Sequence, residues 1–150
     1  MKQRRIVSVV LLILCIAYSS SAAGVRAPFD PSGDYHPSRP ITSESERSIQ
    51  FDLQVRRKKQ KLVAWGHVAN VGTWYKFASV FVTEKELRFR TRRIKGVHYT
   101  FEGRFLREGN FSEQYGGGAG TVALEGKLVK IVNGEKVFEI NMPFVHFPGC

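Results

Sequence analysis

The chain has 150 residues, 23 of them Lys or Arg against 13 Asp or Glu, for a formal net charge of +10. That length allows one domain once targeting segments are set aside, and 43% apolar with 24% charged residues excludes wholesale disorder. Two cysteines are too few for the disulfide framework of a miniature secreted fold, and no Cys/His cluster has the spacing of a structural zinc site.

Residues 1–23 have the three parts of a secretory signal: a basic start (Lys2, Arg4, Arg5), an apolar run over residues 6–17, and a small-residue exit ending at Ala23. The run is shorter than the ~20 residues a bilayer-spanning helix needs, so the expectation is cleavage after Ala23 and export, secreted or periplasmic, with no permanent membrane span. Cys15 lies inside the run after Leu14, a poor position for lipid attachment. With Cys15 removed, Cys150 is the remaining thiol, and a disulfide-linked dimer through it is one expected assembly in an oxidising compartment.

Residues 24–48 are rich in Pro and Ser, with Pro28, Pro31, Pro37 and Pro40. Proline at this density opposes helix and strand pairing alike, and the segment reads as a flexible tether. From residue 49 the period becomes two, and residues 49–150 read as one all-β domain. Ile49, Phe51, Leu53 and Val55 alternate with polar neighbours. Residues 62–71 and 74–82 follow as strands. The latter is apolar on both faces, with Trp74, Val80 and Val82 expected on one side and Tyr75, Phe77 and Phe81 on the other. Residues 87–94, 97–105, 121–132 and 137–147 complete about seven strands, with Asn133-Gly134 as a hairpin signal between the last two. The fold expected is an antiparallel meander forming a small barrel or a sandwich.

Two basic clusters stand out: Arg56, Arg57, Lys58 and Lys59 at the end of the first predicted strand, and Arg88, Arg90 and Arg92 on one side of the fourth. Strand geometry spaces the three arginines about 7 Å apart, a ladder of planar donors suited to phosphate, sulfate or carboxylate groups. If the clusters are neighbours they form one cationic face, for which an anionic lipid surface or an acidic glycan is the expected partner; nucleic acid suits an exported chain less. The competing reading is a solvated strand face whose charges deter edge pairing.

Gly72-Thr73-Trp74-Tyr75 resembles the Gly-x-Trp-Tyr signature of lipocalins. The resemblance covers about ten residues and implies a Trp closing one end of an eight-stranded barrel that carries a small hydrophobic ligand, with Trp74 and Tyr75 as the corresponding residues. In that family the signature lies at or before the first strand, whereas two predicted strands precede it here, and no Thr-Asp-Tyr motif follows.

The glycines at 116–120 precede a strand rather than a helix, so they read as a hairpin connection and not a phosphate loop. Asn110-Phe111-Ser112 fits the glycosylation sequon. His36, His67, His98 and His146 share no metal-ligand spacing and read as partly exposed strand residues. No nucleophile stands in a catalytic signature, so the expectation is a binding module with no enzymatic activity, cofactor or metal. The alternatives are a carrier of a hydrophobic ligand in a barrel cavity and an envelope structural subunit assembled through Cys150.

Overall fold

The computed structural model describes residues 28–39, 41, 49–112 and 121–148. The expected signal segment, the glycine run at 116–120 and Cys150 lie outside the described residues.

Among those residues, eight strands close into an antiparallel barrel in chain order. They are β1 (Gly33–Pro37), β2 (Gln50–Lys58), β3 (Lys61–Asn70), β4 (Thr73–Val82), β5 (Glu86–Thr91), β6 (Val97–Phe105), β7 (Val122–Val132) and β8 (Glu135–Phe147). Seven of them match the predicted strands, and closure as a barrel removes the exposed edges an open meander would leave.

The first strand corrects the expected tether. Gly33–Tyr35 pair with Leu53–Val55 of β2 on one side, while Asp34–Pro37 pair with Phe144–Phe147 of β8 on the other. Tyr35 is fully buried, and its hydroxyl donates to the Pro31 carbonyl at 2.7 Å. The prolines bracket this short strand instead of interrupting it: Pro31 precedes it and Pro37 is its last residue. One buried aromatic and two ladders hold in place a segment whose composition alone reads as a linker.

A second correction concerns β4. Its pairing with β5 shifts register between Phe77 and Ser79, so one extra residue reverses the alternation midway, as a β-bulge does. Tyr75, Phe77, Val80 and Val82 therefore belong to the core and its border, whereas Trp74 and Phe81 face out. Uninterrupted alternation had grouped Trp74 with Val80, and Phe81 with Tyr75.

Aromatic rings fill the barrel axis. Phe51 lies 5.1 to 6.4 Å from Phe77, Phe89, Phe101 and Phe144, and Phe89 stacks between Phe77 and Phe101 at centroid separations of 3.9 and 5.3 Å. Room for Phe101 comes from Gly103 and Gly126: a Cβ on either would lie 2.5 or 2.4 Å from the ring. One end is packed by Phe29, Tyr35, Phe105, Phe111 and His146 in edge-on contacts. At the other, Tyr75 and Tyr99 meet edge to face, and Asn70 donates to the Tyr99 hydroxyl at 2.9 Å. The fully buried Phe111 makes the sequon part of this packing, with Asn110 Oδ1 accepting the Ser112 N–H at 3.0 Å.

His98 and His146 are buried, not partly exposed as expected. His146 Nε2 lies 2.8 Å from the Ser32 carbonyl, tying β8 to the approach of β1. Burial lowers the pKa of both imidazoles; Arg90 and Arg93 add to the effect at His98, and Arg107 and Arg56 at His146, while the Ser32 carbonyl and Asp34 oppose it there. A His that resists protonation when folded favours the folded state above its unfolded pKa of about 6.5, and that advantage is lost as pH falls below it. The melting temperature should therefore drop between about pH 7 and pH 5, and His146→Gln and His98→Gln should each flatten the drop. A melting temperature constant over that window in the parent protein would mean that neither burial costs proton affinity.

Candidate binding surface

Register places the outward side chains of β2 to β5 on one wall. Asp52, Gln54 and Arg56 of β2 stand opposite His67, Trp65 and Val63 of β3. On β4, Lys76 faces His67 and Trp74 faces Ala69, and beyond the bulge Ser79 and Phe81 stand opposite Arg90 and Arg88 of β5. Leu87, Phe89 and Thr91 turn into the core and are buried, so Arg88, Arg90 and Arg92 share the wet side as the alternation predicted. Arg92 lies just past the end of β5, and its backbone N–H donates to the Lys76 carbonyl at 2.8 Å.

The two predicted clusters are not adjacent: β3 and β4 separate β2 from β5. Nor is the first cluster all free charge. Arg57 turns to the barrel end, where its guanidinium donates to the Phe29 carbonyl and lies 3.6 Å from Asp30, while its backbone N–H donates to Ser32 Oγ. Arg56 pairs with Asp34 at 2.8 Å. Arg57 fastens the segment leading into β1, and Arg56 fastens β1 itself. Lys58 extends over the Trp65 ring, 5.5 Å from its centroid, beside Arg56 at 5.9 Å. Lys59 sits at positive φ in the β2–β3 turn. On β5, Glu86 holds Arg88 at 2.7 Å, and Arg88 also covers Phe81 at 5.8 Å.

Between the clusters the wall carries Trp65, Trp74 and Phe81, exposed by 40%, 58% and 52%. These fractions are large for aromatic side chains and mark an unusual surface. His67 lies tilted against Trp74 at a ring separation of 4.3 Å and is itself held by Asp52 at 3.5 Å, so the imidazole props an indole that stays more than half exposed. A groove of about 380 Å³ runs beside it, lined by Trp65, Gly66, His67, Lys76, Phe77 and neighbours. The groove lies where the ladder between β3 and β4 ends, at the His67–Lys76 pair. Gly66 is required at this point: its φ is +152°, and a Cβ would lie 1.9 Å from the Asp52 carbonyl oxygen. Trp65, His67, Lys76 and Phe81 were not picked out from sequence. For Trp65 and His67 the signal was there, because alternation along β3 puts an indole and an imidazole on the wet face; Phe81 was hidden by the bulge.

Charge divides the barrel. On the β6–β8 wall, Arg104 lies 3.9 Å from Glu125, and Glu139 accepts from Lys127 and Lys136 at 2.8 and 3.0 Å. Among the described residues, Lys58, Lys76, Arg90, Arg92, Arg93 and Lys95 form no ion pair with a carboxylate. These six cations lie on the β2–β5 side and the turn after β5.

Trp74 does not close the barrel as the lipocalin resemblance implied. It projects from the outer wall while Tyr75 enters the core, and the axis is filled with phenylalanines. Comparison with protein-family models, curated proteins and solved structures finds no match to this chain. Among the described residues no three His, Cys, Asp or Glu side chains converge as a metal site, and no helix is long and apolar enough to cross a membrane.

Proposed function

We propose that this protein is an exported binding module that recognises polyanions through the outer wall of β2 to β5. The observation carrying this reading is the division of charge: Arg104, Lys127 and Lys136 on the β6–β8 wall each lie against a carboxylate, while Arg90, Arg92, Lys76 and Lys58 are unmatched among the described residues and interleave with exposed aromatic rings. Unpaired guanidinium groups bind oxyanions in a planar, bidentate fashion, and each phosphate or sulfate neutralised releases counterions. The reading assigns the wall no chemistry and no cofactor.

Binding of a sulfated polysaccharide across a salt series tests this. Replacing Arg88, Arg90 and Arg92 together by Gln should weaken binding at low salt and flatten the dependence on salt by roughly one unit of slope per lost contact. Most of the effect should come from Arg90 and Arg92, since Glu86 already occupies Arg88. Arg104→Gln on the opposite wall should change neither quantity. A folded triple variant with unaltered affinity and slope would assign these arginines to solvation.

A further inference from the structure

The β3–β4 hairpin turns through Val71-Gly72 with φ of +45° and +73°, and Asn70 pairs with Thr73 across it. Positive φ at both central positions belongs to a tight hairpin turn that favours Asn-Gly. The β7–β8 turn uses those residues, Asn133 and Gly134 at +53° and +95°. Val71 is different: it is β-branched, for which positive φ is a genuine outlier, and it is 81% exposed. Of the non-glycine residues at positive φ among those described, Lys59, Lys95 and Asn133 are polar and Val71 is apolar. A strained, solvated valine gains nothing within the barrel, and strain of this kind collects at functional positions.

Trp74 stands three residues from Val71, more than half exposed beside His67. In a meander the β3–β4, β5–β6 and β7–β8 turns share one end of the barrel. The β5–β6 turn there contributes Arg92, Arg93 and Lys95, all exposed, and the Arg92 N–H bond to Lys76 ties it to β4 beside the hairpin. Among the described residues, the acidic neighbours are Asp52, engaged by His67, and Glu135 on the β7–β8 side.

An apolar tip, an amphipathic indole and a basic collar fit a bilayer interface. Trp favours the headgroup level, an apolar side chain gains by entering the acyl boundary, and basic residues near an anionic leaflet add attraction. We propose that the barrel docks by this end on anionic lipid bilayers, inserting Val71 and Trp74 while Lys76, Arg92, Arg93 and Lys95 meet the headgroups. This rests on the polyanion reading above and names its partner as a membrane.

The full chain is tested against phosphatidylcholine vesicles with and without phosphatidylserine, and in parallel against sulfated polysaccharide; every variant keeps the same N-terminal segment, so differences report on the tip. Trp65→Phe leaves Trp74 as the chain's single Trp, whose emission should shift to the blue with phosphatidylserine vesicles and be quenched by brominated acyl chains. Val71→Asn with Trp74→Thr relieves strain at an exposed turn and should keep the fold. It should lower vesicle affinity about tenfold or more, the equivalent of withdrawing a Val side chain and part of an indole from apolar surroundings, a larger factor than any change in polysaccharide affinity, and Val71→Asn alone, confined to the turn, should leave polysaccharide affinity unchanged. Unaltered vesicle affinity in the double variant, or no blue shift, overturns insertion and leaves the polyanion reading standing. Polysaccharide binding without vesicle binding by the parent protein overturns it in favour of a glycan, and binding to neither overturns both.

Discussion

Replacing Phe101 by Ala is expected to destabilise the barrel by about 3–5 kcal/mol, the range for truncating a fully buried aromatic. The ring touches Phe51, Phe89 and Phe144, and on its remaining side the neighbours are Gly103 and Gly126, which have no side chains to move into the space. The cavity would therefore persist rather than collapse, which places the loss in the upper part of that range. Domains of this size have about 5–15 kcal/mol in total, so urea denaturation should show a transition near the limit of folding. Phe81→Ala, which removes an exposed ring from the outer wall, is the control and should change stability within about 0.5 kcal/mol. Equal losses for the two would refute the inward and outward assignment on which the candidate surface depends.

The second large effect concerns β1. A fragment beginning at residue 49 should lose the cooperative unfolding transition, whereas one beginning at residue 28 should keep it. Without β1, the ladder partners Leu53–Val55 and Phe144–Phe147 become open edges, and Phe29, Tyr35 and Ile41 leave the core. Arg56, Arg57 and His146 also lose Asp34, Asp30 and the Ser32 carbonyl. Unpaired edges over an aromatic core favour association, so the shorter fragment should sediment as aggregates. A fragment from residue 49 that melted as sharply and as high as the full chain would make β1 an accessory and return the segment to the role of a tether.

The two clusters of basic residues also divide by role. Arg57 is a fastening for the N-terminal segment, so its loss should appear in stability measurements. Arg90 and Arg92 have no such duty among the described residues, and theirs should appear in ligand binding. In sequence the clusters look alike, because a run of basic residues does not reveal which members meet a carboxylate or carbonyl brought from elsewhere in the chain.

What the sequence by itself determined is local. Period-two alternation sufficed to find seven strands and the side of β5 that carries its arginines, and the Asn-Gly pair sufficed to find the turn at 133–134, since each depends on neighbouring residues obeying one backbone geometry. The tertiary structure decided what depends on partners distant in the chain. The strand at Gly33–Pro37 exists because β2 and β8 both offer it a ladder. The bulge in β4 follows from how its pairing with β5 is accommodated, and it alone turned Phe81 outward. Closure converted a choice between barrel and sandwich into a barrel whose axis is filled with rings, and it gathered onto one wall the aromatic and cationic residues of four strands. No local pattern encodes that gathering, because which strands become neighbours and which charges find counterparts are settled only when the whole ring of hydrogen bonds closes.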